Sequence, residues 1–285
     1  ELFFKIINTQ FVIIILLLVI LFMFKRDLVY AVTESRGQRL GAFFIQPNTL
    51  SLGCVCFFIS SNFLFKIDRK KVKYLISTVL SIVIIFLTGS SSGLLVFILA
   101  IFFILYNEIS SFKKIIIRSL VFMFILCTIV LIDFSLFSEI IANHGTWETR
   151  LVIFRYAIIG IFDNYLTGVG PFLGIKEYLK LNISNEFSYF SPPHTHNFIL
   201  DLFLTQGILI GLPIFIFLIK NIFDSIKYQL KRTSKKPLKH LHLIFLVVLV
   251  HGLIESSIFG VYKPFCHNYI VLSVLFISLF KRVKY

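Results

Sequence analysis

From Phe11 to Phe24 the chain runs fourteen residues without one polar side chain. A soluble helix carries a polar stripe at 3.6-residue spacing, and a strand exposed on one face alternates. This run does neither. A helix of ~20 apolar residues is what a bilayer core requires. Seven further runs follow, so the eight candidates are 2–24, 48–65, 72–88, 89–106, 115–137, 197–219, 240–260 and 264–280. The expected fold is an all-α, polytopic transmembrane bundle of about eight spans. One large external loop interrupts it and carries an amphipathic helix. The chain accordingly divides into 1–137 with five spans, the loop 138–196, and 197–285 with three spans.

The basic residues set the orientation. Loop 66–73 holds Lys66, Arg69, Lys70, Lys71 and Lys73 against Asp68, net +4. Loop 220–239 carries net +6, and Lys281, Arg282 and Lys284 close the chain. Lys113, Lys114 and Arg118 stand against Glu108. Eight alternating crossings put all four segments on one side, which the positive-inside rule makes the cytoplasm. Loop 138–196, net −1, then lies outside. The expected location is a cytoplasmic membrane, with loop 138–196 on its outer side.

One loop departs from the rule. Segment 25–47 falls outside, yet carries Lys25, Arg26, Arg36 and Arg39 against Asp27 and Glu34. Lys25 and Arg26 follow a helix end and can snorkel to the interface. Arg36 and Arg39 lie further on. External guanidinium groups suit an anionic substrate, because their planar fork matches phosphate. Cys54, Cys56, Cys127 and Cys266 sit in or beside apolar runs and read as packing residues. The chain starts at Glu1, and no small-residue cleavage site follows the first run, so no cleaved signal is expected.

Loop 138–196 is too long for a simple connector. Within it Leu151, Phe154, Ile158 and Phe162 recur at helical spacing, predicting an amphipathic helix on the membrane face with Arg150 and Arg155 as anchors. Gly168-Val169-Gly170-Pro171 then marks a break. A lone G-x-G without strand-helix context is no dinucleotide site. The loop closes with Pro192-Pro193-His194-Thr195-His196-Asn197, where a membrane helix begins. Asn197 or Thr195 suits its cap. His194 and His196 are thereby placed at the outer surface, beside a helix N-terminus that attracts anions. The plain alternative for both is a polar interface residue without chemistry. No further His, Cys or carboxylate cluster stands nearby, so a metal site is not expected.

Asp201 lies one turn below Asn197, and His251 and Glu255 are four apart in the next span. Ionisable residues in spans usually face a protein interior or cavity. These and Asp133 fall in or near the outer half; a structural His251–Glu255 pair is the competing reading.

Several segments now occur in a telling order: Arg39-Leu40-Gly41-Ala42-Phe43-Phe44-Ile45-Gln46-Pro47-Asn48, Leu87-Thr88-Gly89-Ser90-Ser91-Ser92-Gly93, Arg150 to Ala157, Leu166 to Gly170, and His196-Asn197 with Gly207 and Gly211 downstream. The chain resembles the O-antigen ligase and polymerase superfamily of bacterial surface-polysaccharide membrane proteins, over about 36–260. Members commonly have more crossings than the eight expected here. The resemblance implies a membrane glycosyltransferase. Its donor would be a glycan on undecaprenyl pyrophosphate. Its acceptor would be another lipid-linked repeat unit in a polymerase, or lipid A-core in a ligase. His196 takes the position of the family's base, and Arg39 and Arg150 those of its external arginines. Arg36 and Arg155 join the pyrophosphate set by proximity alone. Asn197, Asp201, His251 and Glu255 are possible acceptor-site or supporting residues. Two departures stand out: Ile210 occupies the last position of the ligase histidine motif, and Ser91 replaces a family arginine.

The chemistry is coherent. A neutral histidine can take the proton of an attacking sugar hydroxyl, and guanidinium groups can stabilise the leaving pyrophosphate. No carboxylate cluster suits Mg²⁺, so a metal-independent, inverting displacement without cofactor is expected. Polymerase of O-antigen or capsule repeat units is the first reading and ligase the second. The third, of another class, is a transporter of polysaccharide or lipid-linked sugar; it would show inverted repeats and a mid-membrane site. Membrane lipids are expected partners and nucleic acid is not. Cysteines introduced at Asn182 and Ser234 test the topology in intact cells. A membrane-impermeant thiol reagent should label the Asn182→Cys chain and spare the Ser234→Cys chain; the reverse pattern overturns the orientation.

Overall fold

The computed structural model describes residues 2–24, 30–33, 37–40, 47–68, 72–108, 146–170, 173–183, 194–230 and 236–255. The elements are α1 (Leu2–Phe24), β1 (Tyr30–Thr33), β2 (Gly37–Leu40), α2 (Pro47–Ile67), α3 (Val72–Leu87), α4 (Ser91–Glu108), α5 (Thr146–Asp163), α6 (Leu173–Ile183), α7 (Phe198–Leu230) and α8 (Lys236–Ile254). The expected helical architecture is found, with one addition. β1 and β2 form an antiparallel hairpin in the register Tyr30↔Leu40 and Ala31↔Arg39.

Of the eight expected spans, six coincide with described helices. Three of these, α1, α2 and α7, are both long and apolar enough to cross a membrane. α3, α4 and α8 contribute shorter apolar stretches. The expected spans 115–137 and 264–280 lie outside the described residues, as do Asp133, Cys127 and Cys266. α7 continues to Leu230, well beyond the expected end at 219.

The chain forms two compact units. In the first, α2 packs against α1, α3 and α4. Helix association in lipid depends on close packing and shared hydrogen bonds rather than on hydrophobicity. α2 is built for this: Ser51, Cys54, Cys56, Ser60 and Ser61 are small and fully buried. Cys54 and Cys56 are buried thiols outside any disulfide, as packing residues should be. Asn8 Nδ2 on α1 donates to Ser61 Oγ at 2.6 Å, and Phe11 meets Phe57 with ring centroids 4.4 Å apart. Other hydroxyls bond within their own helix, Ser60 Oγ to the Cys56 carbonyl at 2.8 Å and Thr88 Oγ1 to that of Ile85 at 2.7 Å. A polar side chain is thereby tolerated where water is missing.

The second unit contains α5, α6 and most of α7. Ile153 and Ala157 of α5 pack on Ile175, Leu179 and Ile183 of α6 and on Leu204 of α7. The predicted amphipathic helix is therefore present as α5, with Leu151, Ile158 and Phe162 exposed on its other side. Burial raises the Tyr178 phenol above its ordinary range, and the Asp163 carboxylate adds to the effect.

In the first unit, a Cβ on Gly93 of α4 would stand 1.7 Å from Ser51 Oγ and 2.5 Å from Ser51 Cβ. Gly93→Ala should therefore cost about 1–3 kcal/mol through overpacking. Thermal unfolding in detergent should show a lowered midpoint, with part of the loss restored when Ser51→Gly is added; an unchanged midpoint for Gly93→Ala would contradict this contact.

Candidate functional site

The chain reaches α7 through a strained turn. His196 has φ 61, the one left-handed non-glycine residue among those described. Holding such a residue costs of order 1–3 kcal/mol and persists only where its surroundings enforce it. Here they do. The Thr195 amide donates to Asp201 Oδ1 at 2.8 Å, and Thr195 Oγ1 donates to the Asn197 carbonyl at 2.9 Å. The His196 amide donates to His194 Nδ1 at 3.3 Å, and the two rings meet edge-on at 4.4 Å.

Asn197 is the cap. Its Oδ1 accepts from the amides of Ile199 at 2.9 Å and Leu200 at 3.3 Å. Its Nδ2 donates to the Leu253 carbonyl at 3.0 Å, tying the start of α7 to the end of α8. Asp201, buried in the first turn of α7, faces back to hold Thr195. Its role is to shape the turn.

Glu255 directly follows α8 and is 4% exposed. Its two carboxylate oxygens divide their work. Oε1 accepts from Arg150 Nη2 at 2.9 Å, and Oε2 lies 3.2 Å from His196 Nδ1. A buried carboxylate is costly unless paired and hydrogen-bonded, and two donors meet it here. Arg150, near the start of α5, and His196 retain 30% and 28% of their side-chain surface. Residues 105 and 59 positions from Glu255 thus converge on one carboxylate. With Nδ1 protonated toward Glu255, the Nε2 of His196 is the acceptor position.

The sequence-predicted set separates accordingly. His196, Arg150, Glu255, Asn197 and Asp201 come together in the second unit. Arg155 is on α5, but five residues past Arg150 is about 140° around a helix, so the two guanidinium groups do not share a face. Arg155 is exposed. Arg39 lies in β2, opposite Ala31. Arg36 is outside the described residues. His251, in the first unit, places Nε2 3.3 Å from Ser92 Oγ. His194 is buried rather than on the surface, because the turn folds its ring under His196. The Ser92 contact was not legible, since 159 residues separate it from His251.

A family model described as O-antigen ligase matches residues 76–216. The match supports membership of the O-antigen ligase and polymerase superfamily. The match takes in α3 to the first half of α7, with Arg150 and His196 inside it, and leaves Glu255 and Arg39 outside. No curated protein matches the sequence. The match, with the apolar helices, supports an integral membrane protein of the ligase and polymerase type.

The Asn197 geometry has a direct test. Asn197→Ala should lose about 1 kcal/mol through the cap alone, together with the bond to Leu253. Asn197→Asp retains the cap and loses only that donor, so its unfolding midpoint should fall between those of the native chain and Asn197→Ala.

Proposed function

We propose that this protein is a glycosyltransferase of the outer face of the bacterial cytoplasmic membrane, with the large loop periplasmic. It transfers a glycan from undecaprenyl pyrophosphate to a sugar hydroxyl. The favoured acceptor is another lipid-linked repeat unit, as in a polymerase. Ile210 at the last position of the ligase histidine motif favours this over transfer to lipid A-core. The observation that carries the reading is the convergence of His196 and Arg150 on Glu255.

In this reading His196 is the general base. Glu255 holds the ring by Nδ1, so Nε2 receives the acceptor hydroxyl proton. The oxygen so freed attacks the anomeric carbon. The bond from that carbon to the pyrophosphate oxygen breaks, and the electron pair leaves with the lipid pyrophosphate. One displacement inverts the anomeric centre. Arg150 offers further N–H donors beside the one given to Glu255, and these stabilise the charge that develops on the leaving group. Asn197 and Asp201 position the base through the turn. The step uses no metal ion, because its proton goes to histidine and its charge to arginine.

Purified protein incubated with a lipid-linked oligosaccharide tests this. A polymerase gives a ladder, a ligase transfers to added lipid A-core, and a transporter leaves the covalent structure unchanged. His196→Ala should lose ~10²–10⁴-fold in rate. His194→Asn, which keeps an acceptor for the His196 amide, should remain near the native rate. Arg150→Lys keeps a positive charge beside Glu255 but loses the fork, and should fall roughly tenfold. Native ladders from His196→Ala would remove the base assignment.

A further inference from the structure

α7 is broken at Gly207, which has φ 58 and ψ −168. A continuous helix would join the Ile208 amide to the Leu204 carbonyl and the Leu209 amide to that of Thr205. Neither bond is the one made. The Ile208 amide donates to the Tyr165 carbonyl at 2.7 Å, and the Leu209 amide to that of Leu166 at 3.2 Å. In return the Val169 amide donates to the Leu204 carbonyl at 2.7 Å, and the Gly170 amide to that of Thr205 at 3.2 Å. Segment 165–170 is thus inserted at the break in the helix and takes over both ends of each of the two missing bonds. Two glycines make room. A Cβ on Gly168 would stand 2.5 Å from the Thr205 carbonyl, and one on Gly207 2.3 Å from that of Leu166.

The depth of this insertion follows from α7 itself. Gly207 lies nine residues into the helix, about 14 Å from Phe198. Thirteen residues separate it from Lys220, the first charge at the other end, which is about 20 Å. A hydrocarbon core is ~30 Å thick. The break is therefore below the membrane surface, in the half of the bilayer nearest the start of α7. Irregular backbone at that depth requires every amide and carbonyl at the break to be satisfied, and the exchange satisfies them.

The side chains agree. Phe162, Tyr165 and Leu166 are 74%, 58% and 47% exposed, and Ile208, Leu209 and Ile210 of α7 are 44%, 62% and 54% exposed. The backbone bonds join these residues into one continuous apolar surface, shared between the end of α5 and a membrane-crossing helix.

We infer that residues 162–170 form a re-entrant element, seated in the leaflet nearest the start of α7 against phospholipid acyl chains. What reads as an external loop dips into the bilayer. This assignment is independent of the catalytic one.

The chain's single tryptophan makes the test clean. In a Trp147→Phe background, tryptophan is introduced by Phe162→Trp, Tyr165→Trp, Ile210→Trp or Glu177→Trp. Each variant is reconstituted in vesicles of phosphatidylglycerol with phosphatidylcholine brominated in mid-chain. Phe162→Trp and Tyr165→Trp should lose most of their emission to the brominated lipid, with blue-shifted spectra and little iodide quenching, as should Ile210→Trp. Glu177→Trp, on the exposed side of α6, should respond to iodide instead. Iodide quenching at both Phe162→Trp and Tyr165→Trp would place the segment in water and overturn the inference. Protection from both quenchers would mean that protein, such as a second copy, covers it, and would overturn it equally. Both substitutions replace exposed aromatic side chains, so the fold is not at stake.

Discussion

A bilayer core offers no water to an amide or carbonyl left without a partner, and the described part of this chain meets that constraint in two ways. Over most of its length it does so by helix, and hydroxyls such as those of Ser60 and Thr88 turn back onto carbonyls of their own turns. At Gly207 the helix opens, and the four backbone groups released are paired by the segment around Gly168. The loop between α5 and α6 consequently has one place to sit. Its position carries α5 with it, since Ile153 and Ala157 share a core with Leu204 of α7.

That placement has a chemical consequence. α5 brings Arg150, and the strained turn before α7 brings His196, to the carboxylate of Glu255. A buried carboxylate with one neighbour would be a costly charge. With a guanidinium on one oxygen and an imidazole on the other it becomes an organising centre. It orients the ring of His196 and holds Arg150 in place together. The φ of 61 at His196 is maintained by the bond of its amide to His194 and by that of the Thr195 amide to Asp201, so the turn is held from several sides.

Much of the helical order was legible because apolar runs report on solvent directly. The expected spans 2–24 and 72–88 reappear as Leu2–Phe24 and Val72–Leu87, and the i, i+3 and i, i+4 spacing of Leu151, Phe154, Ile158 and Phe162 announced α5. The cap at Asn197 was local chemistry and equally readable. The pairing of Glu255 was less so. Four-residue spacing pointed to His251 and gave no sign of Arg150 or His196, to which the described bonds run. The hairpin at Tyr30–Leu40 gave no clear alternation, and the burial of His194 depends on a backbone angle that residue type does not dictate.

The sequence by itself determined that the chain belongs in a membrane, where its helices run, and which residue types stand at the start of α7. These follow from hydrophobicity and hydrogen bonding between near neighbours. Tertiary structure alone decided that Arg150, His196 and Glu255 meet, that Ser92 faces His251, and that a turn-rich G-x-G fills a break in another helix. Each of these joins residues far apart in the chain. Such contacts depend on how helices pack and on which backbone groups a break leaves to be paired, and neither is encoded in any local window of sequence.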